Sequence, residues 1–286
     1  MTDMGPWRPR INRFLSLASV DILLHRRFLK KDLYPGIMHF CLFWGALILL
    51  IATSISALED NFKELLHMKF ITRDYRVEMA LIWDVGGGLL ATIGVSMALY
   101  RRYVIRPPRL NSLFEDPVIL GTIVALILTG FIIEGLRIGS TELNPQSDFY
   151  STSDALWSPV GYVFAKTFSG IGMSIGAMEG IHKVAWWSHA AIVAFAFAYA
   201  ATTFDKMTHM VMGPINAFMR SDRPKGALRT MPDFETSETF GAKDVKDFTW
   251  KQLLDFDACT NCGRCQDQCP AYASGKPLSP RKIIQD

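Results

Sequence analysis

Apolar residues fall along this chain in long runs separated by short charged clusters, and the runs predict membrane helices. Residues 36–58 contain no Asp, Glu, Lys or Arg and are long enough to cross a hydrocarbon layer of ~30 Å. Residues 79–100 repeat the pattern, broken by Asp84 and by Gly86-Gly87-Gly88, and Pro107-Pro108 follow as a stop. A third run, 117–138, carries Glu134 and Arg137 near its end, and a fourth, 183–206, has no charge between Val184 and Phe204. Ahead of these, residues 11–29 place Ile11, Leu15, Ala18, Ile22 and Leu29 near one helical face, with basic residues gathered at its end. Such a helix lies on a membrane surface or packs under a bundle. Residues 156–178 contain Pro159, Lys166 and several glycines and serines; they predict a partly helical segment on the outer face rather than a fifth crossing.

Half of the 286 residues are hydrophobic and mean hydropathy is +0.18, too apolar for an ordinary soluble domain. The net charge of +3 is not concentrated in a basic patch, so no nucleic-acid partner is expected. Lys and Arg number seven in the first 35 residues and four in 101–116, whereas 139–182 holds only Lys166. The runs predict a multi-pass membrane protein, expected in a bacterial or archaeal cytoplasmic membrane, and the positive-inside rule gives its orientation. Its amino terminus and everything after the fourth span would lie in the cytoplasm. The expected organisation is an amphipathic segment (1–35), a transmembrane domain (36–218), a polar linker (219–247) and a small terminal domain (248–286).

That terminal domain holds the strongest chemical signal. Cys259, Cys262, Cys265 and Cys269, with Pro270 after the last, have the spacing of a [4Fe–4S] ferredoxin run. Thiolates are soft ligands suited to iron–sulfur clusters, and Gly263 allows the loop to turn tightly around one. Zinc sites more often use two separated CxxC pairs. In two-cluster ferredoxins the first three cysteines of such a run hold one cluster and the fourth ligates the other. A second run is therefore expected from a missing carboxy-terminal part or from a partner protein. The alternative is one cluster bound by all four cysteines. Cys41, alone in an apolar run, reads as a packing residue, and the fold class is an all-α membrane bundle followed by a ferredoxin-like piece.

A cluster moves single electrons, so further redox ligands are expected in the membrane domain. His39 lies near the start of the first span and His209 just beyond the last, at the same expected depth. Intramembrane histidines are rare and usually functional, and a matched pair suits bis-histidine ligation of a b-type haem. His189, near the other end of the last span, suggests a second haem or a quinone site. His67 and His182 lie in outer segments where they could meet it, and His25 reads as surface. Asp84, Glu134 and Arg137 share the outer half with His189. They make either a structural ion pair or a quinone pocket in which carboxyl groups exchange protons with the substrate. Arg101 and Arg102 are candidates for pairing with haem propionates.

Several stretches in order carry a family resemblance. They are Gly36-Ile37-Met38-His39 with Phe43-Trp44-Gly45, Arg101-Arg102-Tyr103 through Arg109-Leu110, and Thr129-Gly130-Phe131 through Glu134-Gly135-Leu136-Arg137. Trp186-Trp187-Ser188-His189, Lys206, His209, Pro214, Asn216 and the cysteine run complete the set. Together they resemble the cytochrome b (gamma) subunit of respiratory nitrate reductase. More closely, they resemble membrane proteins that fuse such a module to a heterodisulfide-reductase-type iron–sulfur domain. That group includes electron-transfer-flavoprotein:menaquinone oxidoreductases. The resemblance implies an inner haem on His39 and His209. It also implies a cytoplasmic electron-transfer flavoprotein as redox partner and menaquinone as substrate. Where the gamma subunits carry a second histidine ten residues after the first, this chain has Leu49, so the outer haem does not carry over residue by residue. The expected function is a quinone-linked iron–sulfur/cytochrome b oxidoreductase or a component of one. The rivals are a heterodisulfide-reductase-like complex acting on a thiol/disulfide substrate and a non-catalytic anchor whose cluster is structural.

Overall fold

Prolines, glycines and charged clusters set the limits of the helices in a computed structural model that describes residues 7–66, 79–202, 206–220, 235–236, 241–242 and 244–285. His67, much of the 59–78 loop and most of the 219–247 linker lie outside the described residues. Among the described residues every regular element is helical. The helices are α1 (Trp7–Leu17), α2 (Arg26–Lys31), α3 (Leu33–Leu66), α4 (Met79–Ile105), α5 (Glu115–Ser140), α6 (Thr152–Ala155), α7 (Pro159–Gly170) and α8 (Ile175–Thr202). After them come α9 (His209–Phe218), α10 (Trp250–Asp257), α11 (Arg264–Asp267), α12 (Pro270–Ala273) and α13 (Pro280–Gln285). Four stretches, Leu33–Ser56, α4, α5 and α8, are long and apolar enough to cross a membrane. Helix α7 begins at Pro159, whose missing N–H costs nothing at a helix start, and ends before Gly172 at φ +81°. Its 12 residues extend only ~18 Å, too short for a crossing. The last span starts at Ile175, earlier than its uncharged core, because Glu179, His182 and Lys183 are tolerated in a helix that contains no proline.

The chain divides into two units. The first comprises residues 28–107 and 112–198. Its core is Ala91, Val95, Ile127 and Phe131, flanked by Leu42, Leu49, Val124 and Phe164. Small residues let helices meet backbone to backbone, as in membrane bundles generally. A Cβ on Gly45 would come within 2.5 Å of the Ala91 nitrogen, and one on Gly94 within 2.6 Å of the Leu42 nitrogen. The same helix pair is tied by the Tyr34 hydroxyl, which donates to the Met97 carbonyl at 3.0 Å. A second cluster of Ile138, Ala155 and Ala165 joins α5, α6 and α7. At the start of α5 the buried Asp116 carboxylate binds the Arg102 guanidinium and accepts the Leu113 N–H at 2.9 Å.

The other unit comprises residues 1–27, 108–111 and 199–286. Helix α1 meets α9 through an edge-to-face contact of Phe14 on Phe218, with centroids 5.5 Å apart, and the Arg13 guanidinium donates to the Arg220 carbonyl at 3.0 Å. Helix α9 meets α10 through Lys251, which donates to the Asn216 side chain at 2.5 Å and to Asp255 at 2.6 Å. Thr249 and Gln252 form a capping box at the start of α10. Thus α9 groups with the amino-terminal helix and the cysteine segment, whereas the sequence pattern placed it in the membrane domain. The single amphipathic helix expected over 11–29 is broken at His25, which takes φ +50° between α1 and α2. His25 is buried, not at the surface: 3% is exposed. Burial lowers its pKa, against a smaller raising effect of the Leu23 carbonyl.

Gly45→Val and Gly94→Val should each cost about 1–3 kcal/mol, because the clash is with backbone and no rotamer relieves it. Gly121→Ala, which meets nothing within 4 Å, should stay within about 0.5 kcal/mol. Thermal unfolding of the detergent-solubilised variants measures the difference. Arg102→Ala leaves the buried Asp116 carboxylate without its guanidinium and should cost about 3–5 kcal/mol. Adding Asp116→Asn should recover part of that loss; equal melting temperatures for Arg102→Ala and the unsubstituted protein would show that the pair carries no stability.

Candidate functional site

Asp84 lies in a stretch of α4, Ile82–Leu89, wound as π-helix, a distortion often found at functional sites. Its carboxylate is 3% exposed, and Oδ2 accepts the Val160 N–H at 2.6 Å. Val160 is the second residue of α7, so an N–H with no acceptor in its own helix finds one on α4. The positive end of the α7 dipole also favours a carboxylate there. Oδ1 is enclosed without a well-formed hydrogen bond; the Gly161 N–H and the Glu134 carboxyl also adjoin the Asp84 carboxyl group. Glu134 in turn faces the Ser158 hydroxyl. Gly161 permits the approach, since a Cβ there would come 2.7 Å from Glu134 Cγ. Two neighbouring carboxyl groups away from water can hold one proton between them.

Arg137 does not close this pair. Its guanidinium binds Glu142, which also accepts the Thr141 hydroxyl. Burial alone would raise the Glu142 carboxyl, but the Arg137 charge and the hydrogen bonds from Thr141 and Arg137 outweigh it and hold its pKa below the usual range. Of the three groups expected to act together, Asp84 and Glu134 are adjacent, and Arg137 pairs with Glu142 while its charge still reaches Glu134. The ion pair weighed from the sequence, Asp84 or Glu134 with Arg137, is not formed. Arg102, read as a propionate partner, is likewise bound to Asp116. Arg101 is half-buried in the final turns of α4.

The three candidate histidines have different surroundings. His39 is half-buried on α3 and stacks on Phe28, with centroids 5.5 Å apart and planes 8° apart. His209 begins α9, in the other unit. The His209 Nδ1 lies against the Lys206 carbonyl, which can only accept; Nδ1 therefore carries the proton and Nε2 the lone pair. Burial lowers the pKa of His209, which favours this neutral ring. His189 on α8 lies 2.7 Å by Nδ1 from the Thr129 hydroxyl on α5.

The four cysteines are unpaired thiols, Cys262 and Cys265 exposed and Cys259 and Cys269 half-buried. Asn261 at φ +53° and Gly263 at φ +74° turn the loop between them. A Cβ on Gly263 would come 2.7 Å from the Arg109 carbonyl oxygen, the same oxygen that receives the Arg281 guanidinium at 2.6 Å. Arg109 also pairs with Asp267 at 3.5 Å. Cys265 sits on α11, and Cys269 precedes α12, which Pro270 starts. Among the described residues no three cysteine, histidine or carboxylate side chains converge on one point. A cubane presents its irons at separate corners, so its ligands need not converge as around a single ion. Soft, reduced, accessible thiols on a tightly turned loop fit such a cluster.

Sequence reasoning gave no role to Ser158, Val160, Thr129, Asp116 or Glu142. Val160 and Ser158 act through a backbone N–H and a small hydroxyl, which leave no pattern. Thr129, a hydroxyl within an apolar run, was visible as a signal.

A 4Fe-4S binding domain family matches residues 250–271. The chain is 38% identical over 262 residues to the EtfAB:quinone oxidoreductase of Syntrophomonas wolfei, covering 91% of this chain and 35% of that protein. It is 30% identical over 259 residues to the "Probable iron-sulfur-binding oxidoreductase FadF" of Bacillus subtilis, covering 90% and 34%. With one component of the dihydromethanophenazine:CoB--CoM heterodisulfide reductase of Methanosarcina acetivorans it shares 31% identity over 126 residues, 44% of this chain and 47% of that one. The chain thus spans about a third of the length of the first two relatives. No solved structure matches. With four candidate membrane helices and a 4Fe-4S binding segment, the chain is similar, over about a third of their length, to iron–sulfur oxidoreductases.

Proposed function

We propose that this chain is the membrane and cluster-bearing part of a quinone-linked oxidoreductase. It passes electrons between a cytoplasmic flavoprotein and the menaquinone pool. The observation that carries the reading is the Asp84–Glu134 pair, set in candidate membrane helices of a chain that also bears a [4Fe–4S] ligand run. Quinone reduction consumes two electrons and two protons. The cysteine run suits single-electron transfer, and the carboxyl pair suits proton delivery where water is scarce. A relative whose name couples EtfAB to quinone supports both partners. A bound [4Fe–4S] cluster and b haem would supply one-electron redox chemistry. Cys259, Cys262 and Cys265 would hold a cluster completed by a thiolate from elsewhere, with Cys269 serving a second cluster. His39 and His209 would hold the haem, supported by the His209 tautomer, which leaves Nε2 as the ligating nitrogen. His189 stays a candidate for a second haem or the quinone site, and Arg101 for a propionate. The distribution of Lys and Arg supports an amino terminus and cysteine segment on the cytoplasmic side.

The second reading, a thiol/disulfide reductase, is favoured by the likeness to the heterodisulfide reductase component over 44% of the chain. A flavoprotein-dependent menaquinone reduction assay on the membrane complex separates the two: turnover with quinone supports the first, and turnover only with a disulfide supports the second.

Glu134→Gln and Asp84→Asn should slow quinone reduction about 10²–10⁴-fold while leaving reduction of the cluster by dithionite unchanged. Full quinone turnover in both, with a lowered melting temperature, would assign the pair to structure alone. His39→Ala and His209→Ala should each remove the same low-spin haem from the dithionite-reduced optical spectrum. Retention of that haem in either variant would break the pairing.

A further inference from the structure

The Thr129–His189 contact fixes more than a position. Thr129 has one hydroxyl proton and three neighbours that compete for it: the Ala125 carbonyl at 2.6 Å, the Leu126 carbonyl at 3.2 Å and His189 Nδ1 at 2.7 Å. Two oxygens at 2.6 Å are held by a hydrogen between them and repel without one. The proton therefore points back along α5 to Ala125, as serine and threonine commonly do in apolar helices. The hydroxyl oxygen then faces His189 as an acceptor, and Nδ1 must donate to it. The opposite arrangement would satisfy one hydrogen bond instead of two, in a medium where an unmade bond is expensive. Across the ring, Gly130 offers no side chain: a Cβ there would meet only His189 Cε1, at 3.9 Å. His189 Nε2 is left as the lone-pair nitrogen, with no partner among the described residues.

We propose that Thr129 is a positioning residue that locks His189 in the Nδ1–H tautomer. Nε2 is thereby presented to an electron-pair acceptor, either a haem iron or the hydroxyl of a hydroquinone. The tautomer stands on geometry alone; its use rests on the redox function proposed above. Neutral His189 in this state accepts at Nε2 and cannot donate there, so it recognises a hydroxyl rather than a quinone carbonyl.

The test is solid-state NMR of ¹⁵N-histidine-labelled, dithionite-reduced protein in lipid, with His189→Gln identifying the His189 signals. The unsubstituted protein and Thr129→Ser should show a protonated Nδ1 and an unprotonated Nε2. Thr129→Val, which keeps the shape and loses the oxygen, should move His189 toward the Nε2–H form. An Nε2–H ring in the unsubstituted protein, or no change in Thr129→Val, overturns the proposal. If Thr129→Val does not fold, the state of the unsubstituted protein and its retention in Thr129→Ser decide. Haem per chain in His189→Gln names the acceptor. Loss of one haem assigns Nε2 to iron; unchanged haem with slower hydroquinone oxidation assigns it to the hydroxyl. Both quantities unchanged overturns the presenting role. Neither the ring state nor the haem count requires quinone turnover, so failure of the quinone reading is distinguishable from failure here.

Discussion

The first N–H groups of α7 need an acceptor, and in an apolar setting water does not supply one. Asp84 supplies it, and much of the membrane unit follows from that bond. The π-helical winding of Ile82–Leu89 sets the carboxylate at this point along α4. Gly161 lets α7 come close enough for Glu134 to lie beside the bond, and Gly135 lets Phe164 pack directly on α5. Phe131 and Phe164 then stack at 6.0 Å with planes 16° apart, joining the carboxyl pair to the core around Ala91 and Val95. A short helix that cannot span a bilayer is thereby anchored by one polar contact and a face of small residues.

Helix α5 consequently works on two faces. Phe131, Gly135 and Ile138 face the packed interior, with α7 against them. Thr129 and Gly130 face His189 on α8. Helix α8 has many exposed large apolar side chains, among them Val184, Trp187 and Phe197, as suits a helix bordered by lipid or by cofactor rather than by protein. Its attachment to α5 at a hydroxyl–imidazole contact therefore has a larger share in orienting His189 than it would in a crowded core.

The spans were legible because a bilayer imposes length and apolarity on the sequence directly, and the cysteine run because cluster ligation imposes spacing. Asp84 and Glu134 stood out as charges where charge is costly. Their partners did not: the Val160 N–H is a backbone group 76 residues away, and Gly161 acts by lacking a side chain. Arg102 and Arg137 were legible as functional cations only because their acceptors, Asp116 and Glu142, lie at helix ends where an acid looks ordinary. The break at His25 had no warning, since a left-handed histidine leaves no composition signal. Nor could periodicity show that α9 would group with α1 and α10, because that depends on Phe14, Phe218 and Lys251 meeting across long separations.

His189 and His209 reach the same chemical state by different means. One imidazole donates from Nδ1 to a threonine oxygen whose proton is already committed, the other to a main-chain carbonyl that has no proton to give. In each case the acceptor, not the histidine, decides which ring nitrogen keeps its lone pair. A neutral ring with a fixed tautomer is what an iron ligand or a hydroxyl acceptor requires, and it needs no charge to be buried. In the proposed function the carboxyl pair would answer the complementary problem, keeping an exchangeable proton where a lone carboxylate would be unstable. In the function proposed above, His189 and the acid pair in one unit, and His209 and the cysteine thiols in the other, would divide electron and proton handling between them.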